Sequence, residues 1–266
     1  VCSSDLVSDL AGAAALTAIP KPIRSTREAF AISLGRGLTG RHGALILRPA
    51  VLRRLDVIDT LLIDPRVLHT DELTVTLIDG VTPARRAKAW EAARAALADG
   101  ALAPGWHRLS GIPGAGRSGQ ALVSALRDPL ASALVTEARR VGLRVITLDD
   151  NGLRSLGQGF DELIARTGSV DESLAEALTA LRDAGRRVAV LTASADLAAR
   201  AAEVTVGLWR TDGPPPWGAD LLLPDLAAAW RFVHALPAAS LAAQRGVQAS
   251  ASASVLGALM LIPNVP

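Results

Sequence analysis

The chain has 266 residues, half of them apolar, and its 28 basic and 26 acidic side chains give a formal net charge of +2. This length is enough for one large or two small domains with a buried core. The arginines are dispersed and only 3% of the residues are aromatic, so the sequence lacks a basic stripe with interleaved aromatics and disfavours nucleic-acid binding. The single cysteine, Cys2, excludes a disulfide framework, and the four histidines have no zinc-ligand spacing, so we expect no metal site of that kind.

Both ends of the chain carry apolar stretches. Residues 1–6 (VCSSDL) read as the translation of a sequencing adapter, and we interpret them as an artefact. Residues 7–19 and 247–263 are apolar or small, but each is shorter than the ~20 residues of a confident spanning helix. Each fits a truncated membrane segment or a buried helix of a soluble domain. We expect residues 7–43 to be a membrane-proximal helical segment and residues 239–266 to begin a transmembrane helix.

Strand patterns and helix patterns alternate along the rest of the chain. In chain order, the predicted elements are a strand at 59–64, a strand at 73–78, a helix at 83–98, a loop at 101–119, a helix at 129–141, a strand at 143–148, a helix at 171–184, a strand at 187–192, a helix at 195–202, a strand at 204–208, a loop at 213–218, a strand at 219–223 and a helix at 225–236. This alternation predicts an α/β fold in which helices flank a parallel sheet. Functional groups of such sheets lie at the carboxyl ends of the strands.

The first chemical motif lies at the end of the first predicted strand. Asp64 follows a buried apolar run, and Thr70 comes six positions later. The stretch from residue 44 to residue 70 resembles the phosphorylation loop of P-type cation-transporting ATPases, D-K-T-G-T-L-T, whose aspartate becomes phosphorylated. Asp64 falls on that aspartate and Thr70 on the last threonine, whereas residues 65–68 (PRVL) depart from the family pattern.

Five further stretches resemble the same family, in the family's order. They are Asp128–Leu130 (D-P-L-R), Gly142–Val145 (the strand before T-G-D), Gly185–Val190 (the strand before G-D-G-x-N-D), Val206–Leu208 (V-G-I) and Ala219–Leu223 (A-D-L-V-L). The resemblance covers residues 30–240. It implies a HAD-like Rossmannoid sheet with a reduced nucleotide-domain insert. On this basis we expect the phosphorylation domain at residues 44–80 and 128–238 and the insert at residues 81–127.

The residues that support phosphoryl transfer in this family are replaced. The phosphate-binding threonine falls on Asp149, the lysine on Leu174, and the two Mg²⁺-associated aspartates on Ala193 and Leu197. Removing one preorganised electrostatic group typically costs ~10²–10³ in rate. We therefore predict that the domain is catalytically inactive and that Asp64 is a vestigial phosphorylation position. The alternative is a divergent but active pump domain that binds ATP and Mg²⁺ and is phosphorylated on Asp64.

A second alternative comes from a glycine-rich segment. Residues 111–118 (GIPGAGRS) fit the phosphate-binding pattern G-x-x-x-x-G-K-S, with Arg117 in place of the lysine. The candidate nucleotide-binding residues would be Gly111, Gly116, Arg117 and Ser118. The segment before them is short and polar where a buried strand is required, although we predict a helix from Gln120. A flexible loop is the competing interpretation.

The resemblance also implies a location and partners. We expect the chain to belong to a protein of the cell membrane, with this domain on the cytoplasmic side and the membrane reached through flanking segments. A silent domain would act as a scaffold or regulatory module. Its partner would be an active ATPase half in the same or another chain.

Overall fold

The computed structural model describes residues 21–198, 202–210 and 213–260. The adapter-like residues 1–6, the apolar stretch 7–19 and the end of the predicted 195–202 helix lie outside the described residues. The described strands are β1 Leu45–Ile46, β2 Thr60–Ile63, β3 His69–Asp79, β4 Gly105–Arg108, β5 Gln120–Arg127, β6 Arg144–Leu148, β7 Glu162–Ile164, β8 Val188–Thr192, β9 Val204–Leu208 and β10 Leu221–Leu223. The described helices are α1 Lys21–His42, α2 Pro83–Ala98, α3 Ala131–Arg140, α4 Val170–Asp183, α5 Ala195–Ala198 and α6 Leu226–Met260.

The larger sheet is almost entirely parallel. Within the described ranges its strand order is β1-β10-β9-β8-β2-β6-β7, and only β1 runs antiparallel to its neighbour. The interior strand β2 is buried along its whole length, as expected for a strand covered by helices on both faces. The prediction of an α/β fold with a mostly parallel sheet flanked by helices is confirmed.

Helices cover the two faces of this sheet unequally. One face packs against α1, α3 and the first half of α6, where residues such as Leu38, Leu134 and Phe232 are buried. The other face packs against α4 through Leu174 and Leu178. The sequence of α4 explains its start, because Ser169 and Glu172 form a reciprocal capping box.

The smaller sheet forms a separate layer, which we call the insert (residues 69–127). Strands β3, β5 and β4 pair antiparallel in that order, and α2 packs on one face through Ala89 and Ala93. Two expectations are corrected here, because the 101–119 loop contains β4 and the helix predicted from Gln120 is the strand β5. The predicted strand at 73–78 lies within β3, which pairs with β5 in this smaller sheet.

Helix α6 is longer than the predicted 225–236 segment. Among the described residues, Leu226–Val255 is long and apolar enough to cross a membrane by length and composition alone, with 44% of its most apolar window buried inside the protein. Its first half packs on the sheet, so the helix belongs at least in part to the core of this domain. The core helix of a soluble domain can have the same length and composition as a membrane span.

Candidate active site

Asp64 lies at the carboxyl end of the interior strand β2, where the sequence places it. Strand β2 is paired on both sides with parallel strands, and the Asp64 backbone N–H donates to the carbonyl of Leu191 at 2.9 Å. Its side chain is fully buried. The register brings Thr192, the last residue of β8, beside Asp64, so the two side chains meet at the same edge of the sheet.

The Asp64 carboxylate is occupied by the side chain of Arg66. Pro65–Leu68 forms a turn of 3-10 helix that Asp64 caps, accepting the Arg66 backbone N–H at 3.0 Å. The turn folds the guanidinium back onto Asp64, with Nε 2.9 Å from Oδ1 and Nη2 2.8 Å from Oδ2. Two parallel charge-assisted hydrogen bonds of this kind are among the strongest that side chains make.

Arg66 also reaches the start of α4. Its Nη2 lies 2.6 Å from Oδ1 of Asp171, which stands in the first helical turn. Although burial of the guanidinium opposes its charge, hydrogen bonds to Asp64 and Asp171 outweigh it and raise the pKa of Arg66. Hydrogen bonds from Arg66 in turn hold the pKa of Asp171 below its ordinary value, against the effect of burial. These three residues form what we call the Arg66 cluster.

The remaining space around Asp64 is filled by donors of β8 and the turn after it. The Thr192 hydroxyl donates to Oδ2 at 2.8 Å, and the Ala193 backbone N–H approaches the same oxygen at 3.4 Å. Within the described ranges, each of these hydrogen bonds to the carboxylate comes from an N–H or O–H donor. Mg²⁺ is bound by carboxylate and other oxygen ligands, so these residues do not fit it. No group of three or more His, Cys, Asp or Glu side chains that could hold a metal ion occurs among the described residues.

An open cleft of about 570 Å³ lies beside the Arg66 cluster, between the two sheets. Its charged and polar lining includes Arg66, Asp71, Ser194, Asp196 and Arg210. Arg210 donates to the carbonyls of Arg66 at 2.9 Å and His69 at 2.8 Å and also pairs with the Asp71 carboxylate. The two arginines in the described part of the cleft lining are thus already engaged by carboxylates of the protein, which leaves little of their positive charge for a triphosphate.

Of the other positions that the resemblance singled out, Ala193 meets Asp64 through its backbone N–H, whereas Asp149 and Leu174 have other surroundings. Asp149 is exposed, and Asp150 caps the following 3-10 segment by accepting the Gly152 N–H at 2.8 Å. Leu174 is fully buried in the core under α4, so it points into the sheet. The substitution of the expected lysine by Leu174 is thus a change from a site residue to a core residue.

The glycine-rich segment does not have the surroundings of a phosphate-binding loop. It connects β4 to β5, and so it is followed by a strand where the motif needs the N-terminus of a helix. Ile112 and Ala115 are buried in the core of the insert. The N–H groups of these two residues donate within the chain, to the carbonyls of Leu109 and Ile112. The segment that contains Gly111, Gly116, Arg117 and Ser118 therefore packs as part of the insert.

Sequence reasoning misses two residues of the site. Asp171 and Thr192 lie 107 and 128 positions after Asp64, and only the fold brings them to it. In the family pattern G-D-G-x-N-D, Thr192 falls on the first glycine. Because glycine has no side chain, the resemblance predicts no role for the Thr192 hydroxyl. The available signal is positional, because Thr192 ends a strand predicted to be buried and Asp171 opens a predicted helix.

Solved structures show which class of protein has this fold. Two crystal structures of a zinc-transporting PIB-type ATPase, each in a different state, superpose with TM-scores of 0.59 and 0.57. The alignments cover 91% and 87% of this chain and 51% and 49% of those chains, at 16% and 15% identity. At such identities the likeness shows the fold alone. The fold of this chain is that of P-type ATPase cytoplasmic domains.

Sequence relatives point to a narrower group. The chain is 32% identical to the proteins named "Probable cation-transporting ATPase I" of Mycobacterium leprae (strain TN) and Mycobacterium tuberculosis (strain CDC 1551 / Oshkosh), over 96% of its own length. It spans only 18% of the length of these relatives. No protein-family model matches the sequence. The resemblance to P-type cation-transporting ATPases that the motifs indicated is confirmed.

Proposed function

We propose that this chain is the cytoplasmic phosphorylation-domain segment of a cation-transporting ATPase-like membrane protein and that it does not form an aspartyl phosphate. Its function would be that of a scaffold or regulatory module, with an active ATPase half as its partner. The observation that carries the proposal is the state of Asp64, whose two carboxylate oxygens accept hydrogen bonds from Arg66 and Thr192.

The chemistry explains why this arrangement opposes phosphoryl transfer. An attacking carboxylate needs a free oxygen in line with the phosphorus, and cations must neutralise the charge on the transferred group. In this chain the nearest cation, Arg66, neutralises Asp64 and Asp171 instead. Attack would require Asp64 to leave a bidentate pair inside a buried site, which raises the barrier before any bond forms.

The membrane location of the whole protein belongs to the same proposal. It is supported by the names of the relatives and by the length of α6, because this helix continues beyond the residues that pack on the sheet.

Phosphate labelling tests the proposal. The folded chain is incubated with γ-labelled ATP and Mg²⁺ and run on an acid gel, beside Asp64→Asn and Asp196→Asn, a matched change of another aspartate on the cleft. We expect no label above the Asp64→Asn background. Label on the wild type that survives in Asp196→Asn, disappears in Asp64→Asn and is released by hydroxylamine would establish an active pump domain instead.

A further inference from the structure

The geometry points to Arg66 as an internal cation that makes this site independent of Mg²⁺ and joins the end of β2 to the start of α4. The inference deepens the proposed non-phosphorylating role and rests on it. It concerns what the site does in place of the lost chemistry, namely to hold two elements of the domain together.

The Arg66 guanidinium has the position of a bridging cation. Arg66 lies between two carboxylates from elements far apart in sequence, Asp64 after β2 and Asp171 in α4. Its Nε and both Nη atoms donate to these carboxylates, at distances from 2.6 to 3.3 Å. One positive group therefore bridges two negative groups, which is the electrostatic task of a divalent cation between carboxylates.

The Asp64 carboxylate is buried and needs a partner of opposite charge. A carboxylate with no exposed surface is stable only if a partner compensates its charge. Arg66 provides that compensation from a turn whose geometry Asp64 itself fixes by capping it. The compensating charge is thus covalently part of the chain and always present, whereas a metal ion would have to be supplied from solution.

A third observation concerns the other residues on Asp64. The Thr192 hydroxyl and the Ala193 N–H face the carboxylate from β8 and the turn after it. Both donate hydrogen bonds to a carboxylate, so they complete the shell of an anion already paired with a cation. Hence Mg²⁺ would have to displace Arg66 before it could reach Asp64.

Thermal unfolding in excess EDTA and in millimolar MgCl₂, without nucleotide, tests the inference. We expect the same Tm for the wild type in both solutions. Arg66→Met leaves two carboxylates without their cation, so we expect a Tm lower by several degrees in EDTA and partly restored by Mg²⁺. In Asp64→Asn/Arg66→Met the buried charge is gone, and the restoration by Mg²⁺ should vanish. Arg86→Met, a change of an exposed arginine on α2, should behave as the wild type.

If Arg66→Met does not fold, Arg66→Lys is used in the same comparison of Tm values. The lysine retains the positive charge but loses the planar fork, so we expect a lowered Tm that is still equal with and without Mg²⁺. The inference is overturned if Mg²⁺ raises the Tm of the wild type or of Arg66→Lys, or if Arg66→Met is as stable as the wild type. These outcomes do not depend on phosphate labelling, so they separate failure of this inference from failure of the proposed function.

Discussion

Single residues decide the chemistry of this domain. Residues 65–68 fold as a turn of 3-10 helix, which places the Arg66 side chain against Asp64. In the proposed function, this contact makes Asp64 a structural carboxylate on a strand whose parallel pairing is intact. The same logic applies to Thr192, whose hydroxyl both donates to Asp64 and accepts the Ser194 N–H at 2.9 Å.

Replacing Thr192 by valine tests this structural role. The change keeps the shape but removes the hydroxyl, which leaves a buried carboxylate oxygen and the Ser194 N–H each without one partner. We expect a loss of about 1–3 kcal/mol in the free energy of unfolding. Urea denaturation measures it, with Thr179→Val on the exposed side of α4 as the control. Equal stability of the two variants would contradict the role.

Elements are joined by polar contacts as well as by the core. At the junction of α3 and α6, the buried Glu137 accepts from Arg140 at 2.6 Å and lies 2.7 Å from Nδ1 of His234. Trp230 stacks on the His234 ring, with centroids 4.9 Å apart. These contacts join α3 to α6 beside the apolar core that both helices share.

The α3–α6 junction should weaken in acid. Hydrogen bonds from Arg140, with a smaller contribution from His234, outweigh burial and lower the pKa of Glu137 from 4.5 to about 2. A carboxyl with a lowered pKa stabilises the fold above its ordinary pKa, and this contribution is lost as the pH falls from 4.5 towards 2. We expect the stability difference between wild type and Glu137→Gln to shrink over this window in urea titrations. A difference that stays constant with pH would contradict it.

The connection between the two sheets depends on Arg210. Its guanidinium binds the Arg66 and His69 carbonyls and the Asp71 carboxylate, all at the point where the chain enters the insert. Arg210→Ala should remove these contacts and cost about 1–3 kcal/mol locally. We expect faster amide exchange in residues 66–71 and unchanged exchange in β8, measured by hydrogen–deuterium exchange. Unchanged exchange at residues 66–71 would show that the insert is held by other contacts.

The whole molecule keeps the architecture of a P-type ATPase cytoplasmic domain with a small insert. Its core depends on α6, whose Phe232 is 2% exposed against the sheet, whereas Val247 further along the helix is 54% exposed. Phe232→Ala should therefore cost about 3–5 kcal/mol and Val247→Ala less than about 0.5 kcal/mol. Urea denaturation measures both changes. Equal costs would mean that the first half of α6 is not part of the domain core.

Much of this architecture follows from sequence pattern. The run Thr60–Ile63 is short and apolar after its first residue, and it forms the buried strand that the pattern predicts. The insert is harder to predict because β5 (QALVSALR) has no β-branched residue except one valine and reads as a helix until β3 and β4 pair with it. The contact of Arg66 with Asp171 spans 105 positions, and local pattern carries no information on such a distance.

A phosphate donor that needs no nucleotide site shows most directly whether Asp64 is free to react. The chain is incubated with labelled acetyl phosphate and Mg²⁺, and the label on Asp64 is quantified by mass spectrometry beside Asp64→Asn. If Arg66 and Thr192 hold the carboxylate, no phosphate should be found on Asp64 even with this small donor. Stoichiometric phosphate on Asp64 of the wild type would contradict the account and show that the carboxylate is free to react.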